Sequence, residues 1–296
     1  MKMKLGVVQL KHNVLFDFLD LRDGQRFTME EAKRLQQEML EQAYAGCQQV
    51  LEQGCHVIVT PEAVNYCGKP EWMSGSETAM YGVETDLFLH GMAELAQRYG
   101  SYIFTGLVLN RKRPGTDRDL TNSCVVINPA GQIQDIYDKI QLAGDEKLMF
   151  RAGEKVLAVD TEFGKIGVCI CWDMQFPEIP RLLALAGARL ILCPTWGWES
   201  LYGPSRAYEN GIFVASAMAV PAWGEIDGFR TPSQIIAPWG EVLAAGAGNS
   251  SGCITADICL SDTEEYYTLR MDDRRPELYA ELSGQRKTME DTDGKK

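Results

Sequence analysis

The 296-residue chain predicts a mixed α/β fold, and three observations carry that expectation. Short β-rich runs recur along the whole length. Helical patterns lie between them. Turn signals built on Pro and Gly join other runs directly, as hairpins. The β-rich runs are 5–10, 57–60, 102–108, 123–127, 166–171, 190–193, 213–217 and 234–237.

The first helical pattern, 29–53, sets Ala32, Leu35, Met39, Ala43 and Cys47 at helical spacing, stops at Gly54 and delivers the chain into the run at Val57. Segments 86–99 and 178–186 read the same way, the second closed by Gly187. Pro129-Ala130-Gly131 and Pro238-Trp239-Gly240 each stand between two extended runs and predict hairpins. Each half of the chain runs strand, helix, strand, then further strands, so two similar halves could pack their sheets face to face. Residues 1–283 are expected to form one domain and 284–296 a polar tail.

With 45% hydrophobic and 24% charged residues, the composition is that of a chain able to bury a large interior. A net charge of −12 repels phosphate backbones and anionic headgroups, which argues against nucleic-acid and membrane partners. The basic run Asn110-Arg-Lys-Arg-Pro114 is short and adjoins Gly115, so it reads as a solvated loop. Nine cysteines are odd in number and unevenly spaced. Cys124, Cys169 and Cys193 sit inside apolar runs, as small hydrophobes do in a reducing compartment. The apolar stretch after Met-Lys-Met-Lys is too short for a signal-peptide core, and no segment approaches membrane-spanning length. Both points lead to an expected cytoplasmic location.

Chemistry is suggested first at Lys165-Ile-Gly-Val-Cys-Ile-Cys171-Trp172-Asp173, followed by Phe176-Pro-Glu178 and a helix. A strand that ends in Cys and turns into a helix presents the thiol where following N–H groups point toward it and lower its pKa. Cys171 is therefore a candidate nucleophile. Cys169, two residues back, is expected to share its side of the strand and to serve packing. The three histidines, His12, His56 and His90, all lie far upstream of the cysteine; His56 precedes the apolar Val57-Ile-Val run and His90 falls inside a helical pattern, and both read as ordinary surface or half-buried residues. Two other partners stand out. Glu62 ends the apolar run Val57-Ile-Val-Thr-Pro-Glu62, where open α/β sheets place ligands, and is a candidate general base; a capping carboxylate is the alternative. Lys139 lies among the apolar strand residues of Ile136-Tyr-Asp-Lys-Ile-Gln-Leu142, where an ammonium could stabilise an oxyanion; an outward-facing lysine is the alternative.

At these three positions the chain resembles the nitrilase superfamily of carbon–nitrogen hydrolases, which use a Glu–Lys–Cys triad. Thr60-Pro-Glu62, Tyr137-Asp-Lys139 and Gly167-Val-Cys-Ile-Cys171-Trp-Asp173 match its three motifs in order and spacing. The likeness extends from Leu5-Gly-Val-Val-Gln-Leu10 to Asp273-Arg-Arg-Pro-Glu-Leu-Tyr279, through Thr121-Asn-Ser123, Arg206-Ala-Tyr-Glu-Asn210 and Ser233-Gln-Ile-Ile-Ala-Pro-Trp-Gly240. It implies a four-layer α–β–β–α sandwich of two mixed sheets flanked by helices, assembled as a homodimer or larger homo-oligomer. It also implies a second glutamate, Glu146, beside the lysine, and an oxyanion donor in the backbone N–H of Trp172. Two departures stand out: Gln141 replaces a frequent histidine, and the region 15–53 is longer than in compact members.

The implied reaction proceeds through a Cys171 thioester and requires no metal or organic cofactor. Asp173 after Cys-Trp, with Phe-Pro-Glu and the Asp-Arg-Arg-Pro-Glu-Leu-Tyr tail, resembles members that cleave linear amides and N-carbamoyl amines, so a small-molecule amide or carbamoyl compound is the expected partner. Nitrile hydrolysis on the same triad and a noncatalytic scaffold are the alternatives. Trp196, Trp198 and Trp223 are candidates for an apolar substrate wall, or for core or interface.

Overall fold

In the strand β1 (Lys2–Lys11), successive side chains point to opposite faces, and the two faces enter different cores. Leu5 and Val7 join one buried cluster, Val8 and Leu10 another. Both faces must therefore be covered, and the remaining elements do this. The computed structural model describes residues 1–13, 28–66, 81–111, 120–221, 230–279 and 282.

On one side of β1, β2 (Val57–Val59) and β3 (Tyr102–Asn110) continue the sheet in parallel, and β4 (Leu120–Ile127) and β5 (Ile133–Asp138) extend it antiparallel. The second half-sheet joins β6 (Leu157–Thr161) antiparallel to β7 (Gly164–Val168), which runs parallel to β8 (Leu190–Thr195) and β9 (Phe213–Val220). A hairpin of β10 (Gln234–Ile236) and β11 (Val242–Ala245) adds to β9, and β12 (Gly252–Cys259) pairs antiparallel with β1. The halves meet where Leu10 and Lys11 pair with Ala219 and Val220.

Three apolar clusters define four layers. Val59, Phe104 and Val126 of one half-sheet pack with Val168, Leu192 and Ala215 of the other in a core between the sheets. Helices α1 (Met29–Glu52) and α2 (Val83–Tyr99) cover the outer face of the first through Met39, Ala43, Cys47, Met92 and Leu95. Between β5 and β6 lies the one-turn α3 (Glu146–Met149). Helices α4 (Glu178–Leu185) and α5 (Tyr202–Asn210) cover the second through Ile179, Leu183 and Ala207. The arrangement is the α–β–β–α sandwich expected. Helix α1 starts where its sequence dictates: the Thr28 hydroxyl accepts the Glu31 N–H at 3.2 Å, and the Glu31 carboxylate accepts the Thr28 N–H at 2.7 Å. A short helix, α6 (Glu264–Met271), follows β12.

Two boundaries differ from the sequence reading. β7 ends at Val168, so Cys171 lies beyond the strand, and β5 ends at Asp138, so Lys139 is the residue just after it. Residues 15–27 of the long first region, 112–114 of the basic run and the tail 284–296 lie outside the described residues. No helix among the described residues is long and apolar enough to cross a membrane.

Candidate active site

Glu62 follows β2 in a tight turn, 62–65, that is pinned to β3. Asn65 donates through Nδ2 to the Val108 carbonyl and accepts the Val108 N–H, at 2.8 and 2.7 Å. The Val64 N–H bonds the Gly106 carbonyl at 3.0 Å. A Cβ on Gly106 would lie 2.3 Å from the Pro61 carbonyl oxygen and 2.8 Å from the Glu62 Cα, so only glycine lets the turn settle here. The Glu62 side chain is buried.

Lys139 is held at both ends of its peptide unit. Its N–H donates to the Asn122 carbonyl and its carbonyl accepts the Gly153 N–H, each at 2.8 Å. Its ammonium is 1% exposed and sits 2.8 Å from Glu62 Oε1 and 2.9 Å from Glu146 Oε1. Asn122 Nδ2 donates to the same two oxygens, at 2.7 and 3.0 Å. The remaining oxygens accept backbone N–H groups, Glu62 Oε2 from Trp196 at 2.8 Å and Glu146 Oε2 from Ala143 at 2.7 Å. Burial alone would discharge the ammonium, but the Glu146 and Glu62 carboxylates outweigh it and hold its pKa well above the usual lysine value.

Cys171 opens a 3-10 turn over Cys171–Gln175 with φ +44°, a left-handed conformation that side chains other than glycine rarely adopt. Asp173 fixes this elbow. Its Oδ2 accepts the Ile170 N–H at 2.8 Å and the Tyr137 hydroxyl at 2.7 Å, and its Oδ1 accepts the Gln141 N–H at 2.8 Å. One buried carboxylate thus ties the Cys171 turn to the segment carrying Lys139. Gln141 contributes a backbone N–H to this link, which a histidine would supply equally. The N–H groups of Cys171 and Trp172 precede the first bond of the turn, from the Asp173 N–H to the Ile170 carbonyl.

Glu62, Lys139, Glu146 and Cys171 converge on one cavity of about 330 Å³. A thiol beside a buried carboxylate–ammonium pair is suited to acyl transfer. Carbon-nitrogen hydrolase is the family that matches the chain, over residues 5–268. The chain belongs to the carbon-nitrogen hydrolase family. A probable nitrilase of Schizosaccharomyces pombe is 34% identical over 202 residues, 64% of this chain and 72% of that protein. An omega-amidase of Homo sapiens is 29% identical over 238 residues, 72% and 80% of the two chains. A carbon-nitrogen hydrolase from Helicobacter pylori G27 superposes with a TM-score of 0.76 at 20% identity, covering 96% of this chain and 99% of that one. An amidase from Nesterenkonia sp. gives 0.70 at 23% identity, over 95% and 96%. The last two likenesses establish the fold.

Several expectations for this carbon-nitrogen hydrolase need correction. The Cys171 thiol is not acidified: burial and then the Glu62 charge push it up to about 12, against the opposing pull of Lys139. Nor do Cys169 and Cys171 share a side. Cys169 packs into the core beneath α4 and α5, whereas Cys171, turned by its positive φ, packs against the core between the sheets. Trp198 is no part of a substrate wall, because it is fully buried among Met174, Tyr202 and Ile236 with its Nε1 donating to Gln234 at 2.9 Å. Trp196 does line the cavity, and Trp223 lies outside the described residues. The Trp172 indole is 37% exposed and meets Phe176 edge-on.

All three histidines lie away from the cavity lining. His56 Nδ1 accepts the Lys4 N–H, His90 faces Glu94, and burial pushes His12 down to about 3. Asn122, Asp173 and Gly106 were not assigned roles from sequence. Asn122 had a signal, since Asn is disfavoured in strands and here stands between Thr121 and Ser123, just before the apolar residues 124–127 of the same strand. Among the described residues, no group of His, Cys, Asp and Glu side chains could hold a metal ion.

Proposed function

We propose that this chain hydrolyses the carbon–nitrogen bond of a small linear amide or N-carbamoyl amine through a thioester on Cys171. The observation that carries the reading is Lys139, a fully buried ammonium held between Glu62 and Glu146 at the wall of the cavity that Cys171 also lines. Amide cleavage accords with the omega-amidases among its relatives.

The thiol is protonated at neutral pH, so its proton passes to Glu62 as sulfur attacks the carbonyl carbon. The oxyanion rests on the Lys139 ammonium and the Trp172 N–H. Glu62 returns the proton to the nitrogen, the C–N bond breaks, and ammonia or amine leaves. Glu62 then takes a proton from water, whose oxygen attacks the thioester; the C–S bond breaks and the thiol is restored. Glu146 holds Lys139 in place and charged. No cofactor enters this sequence.

Ammonia release from a set of small amides, N-carbamoyl amines and nitriles, measured beside Cys171→Ala, tests the reading. Release from amides or N-carbamoyl amines by the parent alone is expected. Equal activity of Cys171→Ala would remove the mechanism, and release confined to nitriles would replace the substrate class.

A further inference from the structure

The two carboxylates of the hydrolytic centre differ in what they have left to accept. A carboxylate offers about four acceptor sites, two on each oxygen. Those of Glu146 are all taken. Its Oε1 accepts from Lys139 Nζ and Asn122 Nδ2, at 2.9 and 3.0 Å, and its Oε2 accepts the Ala143 N–H at 2.7 Å and faces Lys139 Nζ at 2.8 Å. Glu62 Oε1 is likewise filled, by Lys139 Nζ and Asn122 Nδ2 at 2.8 and 2.7 Å, whereas Glu62 Oε2 accepts the Trp196 N–H at 2.8 Å and nothing further among the described residues. The open site of the pair is therefore on Glu62 Oε2.

Asn122 creates this difference. It is buried, and its two Nδ2 hydrogens go to one oxygen of each glutamate. The amide cannot be turned over, because Oδ1 would then face two carboxylates. As placed, Oδ1 has no partner among the described residues. A buried acceptor left unpaired is costly, so an asparagine kept on those terms points to a need for its donors. The Asn122 carbonyl also accepts the Lys139 N–H at 2.8 Å. One residue thus holds the lysine backbone and both carboxylates that flank the lysine ammonium. It does so without charge, where a second cation would weaken Glu62 as a proton acceptor.

Building on the hydrolase reading above, we infer that Asn122 is a positioning residue: it closes Oε1 of both glutamates, so that the Cys171 proton is received at Glu62 Oε2 and Lys139 keeps an N–H for the oxyanion. The proton leaves sulfur for Oε2 as the S–C bond forms and the carbonyl π pair moves to oxygen. Without Asn122 a site opens on each glutamate, and the proton can settle beside Lys139 rather than beside the reacting nitrogen. The test sets Asn122→Leu, similar in size and without donors, against the parent on the amide with the highest kcat/KM. There kcat is expected to fall roughly 10- to 100-fold while KM changes less than about twofold. Butyraldehyde adds to the Cys171 thiol as a hemithioacetal whose oxygen takes the oxyanion position, and it should bind the variant about tenfold or more weakly. Because an affinity does not depend on the folded fraction, partial misfolding does not mimic that loss, and a merely loosened pocket would raise KM alongside it. Unchanged kcat and aldehyde affinity, or a loss shared equally by KM, would overturn the inference while leaving amide hydrolysis intact. Asn122→Ala carries the same readings if Asn122→Leu does not fold. Should the parent turn over no amide, the hydrolase reading fails separately, and aldehyde affinity then decides on Asn122: a loss of about tenfold or more supports it, and equal affinity, or no binding by the parent, removes it.

Discussion

Lys139 concentrates the electrostatics of the site. Its ammonium is buried between two carboxylates, and removing one member of such a cluster leaves the others buried without compensation. Lys139→Ala is expected to lower unfolding stability by about 3–5 kcal/mol, read from urea transitions, and to reduce kcat about 100-fold or more as the oxyanion loses its partner. A variant of parental stability would mean that Glu62 and Glu146 do not carry charge together. At Cys171 the raised thiol pKa sets another expectation: iodoacetamide should alkylate it slowly at pH 7, with the rate still climbing above pH 9, because the thiolate is scarce. A rate already at its plateau at pH 8 would show an acidified thiol. The three polar partners were legible in sequence because each sits in a short ordered motif. Thiol acidity was not, because it depends on Glu62 and on burial contributed by distant segments.

Elements act here through the turns that end them. The turn 62–65 seats against β3 only because Gly106 lacks a side chain, so Gly106→Ala is expected to displace Glu62 and lower kcat tenfold or more while thermal unfolding stays cooperative. Unchanged kcat would show that the turn has slack. The Cys171 elbow depends on Asp173, which accepts three hydrogen bonds and can do so fully only as a carboxylate. Burial, opposed by those bonds, pushes Asp173 up to about 6. Activity should therefore fall below about pH 6, and Asp173→Asn, which sets an amide N–H against a backbone N–H, should lose about 1–3 kcal/mol of stability. Strands with continuous apolar runs, such as β2, β3 and β8, were legible. β6 and β12 were not, since Asp160 and the half-exposed residues 252–257 break the pattern. The end of β7 was overrun for the opposite reason: its apolar sequence continues past Val168 while the backbone departs toward the left-handed Cys171.

At the scale of the whole molecule, two half-sheets press one core between them, and the site opens where both contribute. Glu62, Asn122 and Lys139 come from the first half, Cys171 and Trp196 from the second, so docking of the sheets assembles the chemistry. The order of strands and helices in each half pointed to two sheets face to face, and the family resemblance supplied the four layers; neither says which side chains meet in the core. Acid stability should reflect two opposed buried groups. His12 is pushed down from 6.5 to about 3, so it stabilises the fold above pH 6.5 and that contribution is lost as pH falls toward 3. Asp173 is pushed up from 3.8 to about 6, so its contribution is present below 3.8 and is lost as pH rises through 6. Urea midpoints between pH 7 and 4 should fall less steeply in His12→Gln than in the parent.

The central claim is a covalent one, that carbon becomes bonded to the Cys171 sulfur after nitrogen leaves. Acid quench within milliseconds of mixing with an amide that releases ammonia, followed by intact mass and peptide mapping, tests it most directly. The account predicts a mass increase equal to the amide minus ammonia, confined to the peptide bearing Cys171 and absent from Cys171→Ala. Steady turnover with no adduct at any quench time, together with an adduct-free but active Cys171→Ala, would contradict it.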